Sequence, residues 1–447
     1  MGMPVIHPRT LSTERPFMWL LALLAIAGAA AFLWWAKNEW AALAILLIDG
    51  LALSLAGGNL FRSRANIALT VLTSTLLILG LFELVEFLFW VPSEADPTKN
   101  VFDPGERWRV IGVNRRILFV GRFPQGEEWR LWPPLFVGLG LLGLSFGLWA
   151  RLGLREAVAV ALAIAFVLGF LAHGENGALF AAAAATAVAA HVIGRRAGRS
   201  ARSRDWARNL AAVGWALAMP FTVIIIVAFG GVKPALWGGL TLNVLLAVIG
   251  IGVGLPLGIL LALLRASSLP VVKGVATAII EITRGGPLIA WLFIARFVLP
   301  DFLPDALNTD VIVNATIIVC LFTAAYVAEI VRGGLQSVPH GQVEAAQSVG
   351  LSNFNITLFI VLPQALRAVI PALVSQLISL WKDTTLFSVL SFTDALGAGQ
   401  SAYGGQAEFI GKQKEVLLFI ALLFWSVSFT MSRLSHRFER ALGLGVR

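Results

Sequence analysis

The chain of 447 residues is 58% hydrophobic and only 13% charged, with a mean hydropathy of +0.83, which excludes a water-soluble globular domain and defines an all-α polytopic membrane protein. Lys and Arg number 34 against 25 Asp and Glu, a net charge of +9; in a membrane chain that excess marks loops held in the cytoplasm and implies no nucleic-acid partner. The single cysteine, Cys320, excludes an intramolecular disulfide and any Cys-based metal cluster.

Crossing about 30 Å of hydrocarbon at about 1.5 Å per residue takes roughly 20 apolar residues. Twelve such runs lie between polar breaks: 17–36, 40–57, 66–91, 133–150, 155–173, 177–194, 207–229, 236–264, 273–299, 311–332, 365–391 and 414–434. The first follows Arg9 and Arg15, is long for a signal-peptide core, and reads as a retained helix. Trp40, Trp90, Trp132 and Trp237 fall at segment ends, where indole rings anchor at the bilayer interface. Asp49 ends the second span, and Glu83 and Glu86 stand three apart near the end of the third. Interface-solvated carboxylates are the plainer reading of these acids, a proton relay the sharper one.

Short loops rich in Lys and Arg stay in the cytoplasm, and successive loops alternate sides. Arg9/Arg15, Arg62/Arg64, Arg151/Arg155, the run 195–208, Arg265/Lys273 and the tail Arg433, Arg437 and Arg440 all fall on one side, which puts both termini in the cytoplasm. Residues 92–132 form one long external loop, whose alternating stretch 107–123 reads as a small hairpin or an interfacial flap. The basic run at 195–208 also separates a motif-poor half from one dense in Gly, Pro and polar residues. The chain thus divides into an N-terminal extension of about seven spans, 1–230, and a second domain, 231–447.

No glycine-rich loop ends in Gly-Lys-Ser or Gly-Lys-Thr, no pair of the five histidines stands at metal-ligand spacing, and no Gly-x-Ser-x-Gly elbow occurs. The sequence therefore offers neither catalytic residues nor a metal site, and points to a transporter, channel or scaffold instead of an enzyme.

An ionisable residue at membrane depth costs several kcal/mol unless it is paired or faces water. Glu281 and Arg284, three apart, read as a mutually neutralising pair, as do Glu329 and Arg332 nearer the cytoplasm. At Arg284, however, Gly285, Gly286 and Pro287 follow at mid-helix. Such breaks persist only where backbone is buried in protein or lines a wet cavity. Lys382 and Asp383 are adjacent, hence about 100° apart around a helix, and pair poorly with each other. With Thr384 and Thr385 they suit a zwitterion, cation for the α-carboxylate and anion for the α-ammonium; the alternative is a set of buried interhelical bridges. The candidates for a substrate pathway are accordingly Glu281, Arg284, Gly285, Gly286, Pro287, Lys382, Asp383, Thr384 and Thr385, with Asp394 and Gln400 just outside the eleventh span.

Between the tenth and eleventh spans lies RGGLQSVPHGQVEAAQSVGLSNFNITLFIVLPQA, 332–365. Pro339 and Gly341 are turn signals, Glu344-Ala345-Ala346 is followed by Gly350, and Ile360 precedes Leu362-Pro363. The pattern reads as a short helix with small residues on one face, a glycine stop, and an amphipathic segment ended before a proline. On spacing alone it fits an ordered interhelical loop equally well. The spacing resembles that of the cytoplasmic coupling loop in permease subunits of binding-protein-dependent ABC importers. The resemblance extends over 236–434 through TLNVLLAVIGIGVGLPLGILLALLRAS (241–267), EITRGGPLIAWLF (281–293), AAYVAEIVRGGLQSVPHGQVEAAQSVGLS (324–352) and LPQALRAVIPALVSQLISLWKDTTLFSVLSFTDAL (362–396), which look like the polar amino-acid branch. A long N-terminal extension on such a core is similar to the permeases of general L-amino-acid importers and of acidic amino-acid and amide importers. The pattern departs at Gly286, where relatives more often carry Thr.

The resemblance implies a five-helix type I importer core in the C-terminal half of a chain of about twelve transmembrane helices. It also implies a bacterial cytoplasmic-membrane location and import of L-amino acids. The implied partners are a second permease subunit, two copies of a P-loop ATPase, an external amino-acid-binding protein and membrane lipid. ATP and Mg would sit on the ATPase subunits, with no cofactor in this chain. Coupling to the ATPase would fall to Glu344, Ala345, Ala346, Gly350 and Pro363 in a loop spanning 332–364. Two other classes compete: an ion-coupled secondary amino-acid transporter, which predicts two similar halves, and a non-transporting membrane scaffold, which leaves the polar residues of the ninth and eleventh spans without a role.

Overall fold

A computed structural model describes residues 64–92, 100–149, 177–302, 304 and 309–441. The spans expected at 17–36, 40–57 and 155–173, with Trp40 and Asp49, lie outside the described residues. The other nine coincide with helices, one of them broken. The chain forms two compact units, Met1–Arg109 and Val110–Arg447.

In the first unit, α1 (Arg64–Phe89) leads into an antiparallel strand pair, β1 (Trp90–Pro92) and β2 (Asn100–Phe102), with Trp90 opposite Phe102. Arg107 donates to the Trp90 carbonyl at 2.6 Å and the Trp108 indole to that of Leu88 at 2.9 Å. Glu86 accepts from Asn100 at the surface.

The stretch 107–123, expected as a hairpin or flap, is instead mostly helix: α2 runs Pro104–Val120. Asp103 accepts from the Glu106 amide at 2.9 Å and Pro104 opens the first turn, so the start carries both a cap and a pre-set φ. Val110, Ile111, Asn114 and Leu118 are its buried residues, a helical spacing that the alternating arginines mask in sequence.

The second unit contains α3 (Trp132–Trp149), α4 (Gly177–Ala197), α5 (Ala201–Val227), α6 (Gly239–Arg265), α7 (Pro270–Arg284), α8 (Leu288–Phe302), α9 (Val311–Ser337), α10 (His340–Ser348), α11 (Asn353–Leu390), α12 (Ala395–Gly404) and α13 (Gln413–Ala441). Among the described residues, seven helices are long and apolar enough to cross a membrane, or eight if α7 and α8 count as one broken span. Ser200 caps α5 and Asp310 caps α9, each accepting an amide of the first turn. Trp237 precedes α6 as expected, yet its ring is buried and its indole donates to the Val232 carbonyl, so it packs the core and does not face lipid.

The most buried span is α9. Gly250, Gly254 and Gly258 of α6 recur every fourth residue against it, next to Val319, Thr323 and Val327 respectively. A Cβ at Gly254 would stand 2.7 Å from the Thr323 Cβ, and one at Gly258 would stand 2.6 Å from the Ala324 carbonyl oxygen. Lipid gives apolar helices little reason to associate by burial alone, so this close approach of backbones supplies the packing.

Candidate functional site

The span expected over 273–299 turns by 98° between α7 and α8. Pro287 has no N–H, so the Thr283 carbonyl loses the donor four residues on. The Trp291 indole replaces it, donating to the Thr283 oxygen at 3.0 Å, and Gly285 closes α7 by donating to Glu281 and Ile282. Gly286 lies under that indole: a Cβ there would meet the Trp291 Nε1 at 3.1 Å. Beyond the break, Leu288–Phe293 packs against the 3-10 segment Thr384–Leu390, which brings the two stretches of candidate residues side by side.

Glu281 and Arg284 do not neutralise each other. Glu281 pairs with Arg265 at the end of α6, at 2.9 Å, while Arg284 reaches across to Glu329 on α9, at 3.5 Å. Glu329 also receives Arg265 at 3.4 Å and pairs with Arg332, the one local pair that forms as the spacing suggests. Three guanidinium groups therefore share one carboxylate, with Glu281 as the second anion. The Arg284 guanidinium lies over the Tyr326 ring at 5.4 Å, and its buried Nε has no hydrogen-bond partner among the described residues. The cluster ties the ends of α6 and α7 to α9 close to the break.

Lys382 is exposed and Asp383 half-buried, and neither has an ion-pair or hydrogen-bond partner for its side chain among the described residues. Thr385 donates to the Lys382 carbonyl. Thr384 is enclosed: its hydroxyl donates to the Trp381 carbonyl at 2.7 Å and accepts from Asn243 of α6 at 3.1 Å. Asn243 also donates to Asp394 at 3.2 Å and accepts from the Ala395 amide. Asp394 caps α12, accepting from the amides of Leu396 and Gly397. Burial pushes its carboxyl from the ordinary 3.8 up to about 6, against the opposing pull of those donors. Gln400 is exposed.

The loop between α9 and α11 carries α10, most of whose residues are exposed. Gly350 has φ +81, its amide donates to Gln347 and the next amide, of Leu351, to Ala346. These are the two bonds of a Schellman stop, which needs a left-handed residue at this position. Glu344 and Ala345 face out and Ala346 is buried. The loop is shorter than expected at both ends, because 332–337 continue α9 and α11 begins at Asn353. The segment does not end before Pro363: a π-helical turn, Ile356–Val361, has Leu362 donating five residues back to Thr357, and this widened turn lets the helix pass through the proline.

Arg296, which the sequence reading does not single out, sits in a π-helical turn of α8 over the Phe392 ring at 4.7 Å. A lone arginine inside an apolar run is signal enough to find it.

Membrane-length helices, a span opened at a proline and an exposed helix between two spans define a multi-pass membrane protein. The chain belongs to the family of binding-protein-dependent transport system inner membrane components, whose pattern matches residues 254–443. It is 41% identical over 237 residues to the inner membrane amino-acid ABC transporter permease protein YhdY of Escherichia coli, covering 52% of this chain and 64% of that protein. It is 44% identical to the glutamate/glutamine/aspartate/asparagine transport system permease protein BztC of Rhodobacter capsulatus, covering 46% of this chain and 48% of that one. Against the probable glutamine ABC transporter permease protein GlnP of Bacillus subtilis it is 33% identical, covering 46% of this chain and 92% of the relative. The chain thus spans less than two thirds of YhdY and about half of BztC.

Proposed function

We propose that the chain is one permease subunit of an ATP-driven importer of L-amino acids, in the bacterial cytoplasmic membrane with both termini inside. It works with a second permease, two copies of a P-loop ATPase that bind ATP and Mg, and an external amino-acid-binding protein. The observation that carries this reading is the surface around α10. Glu344 is exposed on α10, and so are Val349 just after it and Phe354 and Phe359 at the start of α11, at 74%, 72% and 65%. Large apolar side chains left exposed around the junction of α10 and α11 support a protein-docking face there. Its rigid glycine stop suits a helix that receives a push from a partner without bending. The permease names of YhdY, BztC and GlnP support the amino-acid substrate.

The ATPase closure would act on α10 through Glu344, Ala345, Ala346 and Gly350, and would reach the broken span and the pathway residues Arg284, Lys382 and Asp383 through α9 and α11. ATP binding selects one membrane conformation and hydrolysis releases it. The test is Glu344→Lys in the reconstituted complex. Uptake driven by ATP should fall, and less ATPase should co-purify, while the chain still inserts into the membrane. Unchanged ATP-dependent uptake would remove the coupling role.

A further inference from the structure

Away from the broken span, a cavity of about 680 Å³ lies between α2, α3, α5 and α6. Arg115, Arg116 and Glu128 line it at the end where α2 stops and α6 begins, and the remaining lining is predominantly apolar, with Leu139, Leu142, Val244 and Val248 among the deeper residues. Its two threonine hydroxyls are already engaged: Thr222 donates to the Ala218 carbonyl and Thr241 to that of Phe119. Polar chemistry is therefore concentrated at one end.

That end has an excess of positive charge. Arg116 is committed to Glu128 at 3.0 Å and to the Phe123 carbonyl. Arg115 is half-buried and has no hydrogen-bond or ion-pair partner among the described residues. Trp132 lines the same end, packed edge-on against Phe180 at 4.8 Å, and Trp129 nearby is exposed, the placement of indoles at a membrane interface. The depth is also informative. The lining runs along α6 from Leu240 to Val248 and along α3 from its first turn to Leu142, rises of roughly 12 Å and 15 Å at helical pitch. Half of the hydrocarbon thickness is about 15 Å. A cationic end at the interface and an apolar shaft reaching the bilayer midplane fit one lipid of one leaflet.

We propose that this cavity binds one anionic phospholipid, its phosphate held by Arg115 and an acyl chain lying between α3 and α6. A zwitterionic lipid would bring its ammonium beside two guanidinium groups. A free amino acid would find one carboxylate in the walls for its ammonium group, Glu128, which is already paired with Arg116.

The full chain, in the complex with which it purifies, is delipidated and offered phosphatidylglycerol or phosphatidylethanolamine of identical acyl chains, and retained lipid is counted by native mass spectrometry. One phosphatidylglycerol per chain should be retained, preferred by about fivefold or more, the factor that a single cation near a lipid phosphate supplies. Arg115→Ala should abolish the preference and Arg115→Lys should keep most of it. Gly138 lines the cavity and a Cβ there meets nothing within 4 Å, so Gly138→Phe should fill the shaft and lower retention of both lipids, with Gly138→Ala as the control that leaves retention intact. Equal retention of the two lipids by the unmodified chain would overturn the proposal. So would retention that neither Arg115→Ala nor Gly138→Phe alters, or displacement of the lipid by millimolar inorganic phosphate, which would mark a site for a free anion.

Discussion

Trp291→Phe isolates one hydrogen bond at the broken span. The ring and most of its packing remain, while the indole N–H that serves the Thr283 carbonyl at 3.0 Å is lost. Pro287 cannot supply a substitute, so the carbonyl is left without a donor. Leaving such a group unsatisfied costs about 1–3 kcal/mol. Cys320, the only cysteine and buried in α9, gives the assay: a thiol-reactive dye reports unfolding of the detergent-solubilised chain as the sulfur becomes accessible. The apparent Tm should fall by about 2–12 °C, at the roughly 2–4 °C per kcal/mol of mid-sized domains. The cycle with Pro287→Ala then separates the bond from packing. That substitution restores an N–H four residues after Thr283, so Trp291→Phe in the Pro287→Ala background should lose at least about half of its effect. An equal Tm loss in both backgrounds would refute the claim that the indole stands in for the missing proline donor.

Glu329→Gln leaves Arg265, Arg284 and Arg332 facing one another with Glu281 as the only anion among them; the cluster is partly solvated, so the loss should be about 1–3 kcal/mol, below that of a fully buried pair, and a normal denaturation midpoint in this variant would show the cluster to be incidental. Gly254→Leu drives a side chain into Thr323 and should destabilise by about 3 kcal/mol or prevent accumulation, whereas Gly274→Ala on α7, with open space around it, should be neutral or stabilising by up to about 1 kcal/mol in the same dye assay. Because burial raises the Asp394 carboxyl to about 6, the folded state binds its proton more tightly than the unfolded chain; this stabilisation is complete below about 3.8 and is lost as pH rises through 6. Between about pH 5 and pH 7 the chain should lose about 1 kcal/mol that Asp394→Asn does not lose, measured as the difference between their two pH profiles.

The features legible in the sequence are those that local chemistry decides. Pro287 announces a break wherever it falls in a long apolar run, and Gly350 announces a helix stop because few other residues accept φ +81. Ion pairing is hard to read for the opposite reason. Spacing of three makes Glu281 and Arg284 look like partners, but each carboxylate and guanidinium is claimed by a neighbouring helix whose position no local spacing records. At 107–123 alternation points to a hairpin, whereas a cap at Asp103 and a helical set of buried residues make α2. Thr384 shows the same limit: a hydroxyl beside Lys382 and Asp383 is enclosed because Asn243, 141 residues earlier in the chain, comes to meet it.

The placement of Glu329 joins the loop to the break. It stands about two turns before the end of α9, on the same uninterrupted helix that delivers the chain into α10. In the proposed coupling, a displacement of α10 by a partner would carry Glu329, and with it the three arginines it holds, along this one helix. The α6 side resists, because Gly250, Gly254 and Gly258 bring its backbone against α9 without slack. The α7 side would give first: Arg284 is the last residue of α7, and just beyond it, among the described residues, the indole N–H of Trp291 serves the Thr283 carbonyl where an intact helix would use its own ladder. On the proposed coupling, motion entering at α10 would therefore be taken up at Gly285–Pro287, between the arginine cluster and the segment that packs on Thr384–Leu390.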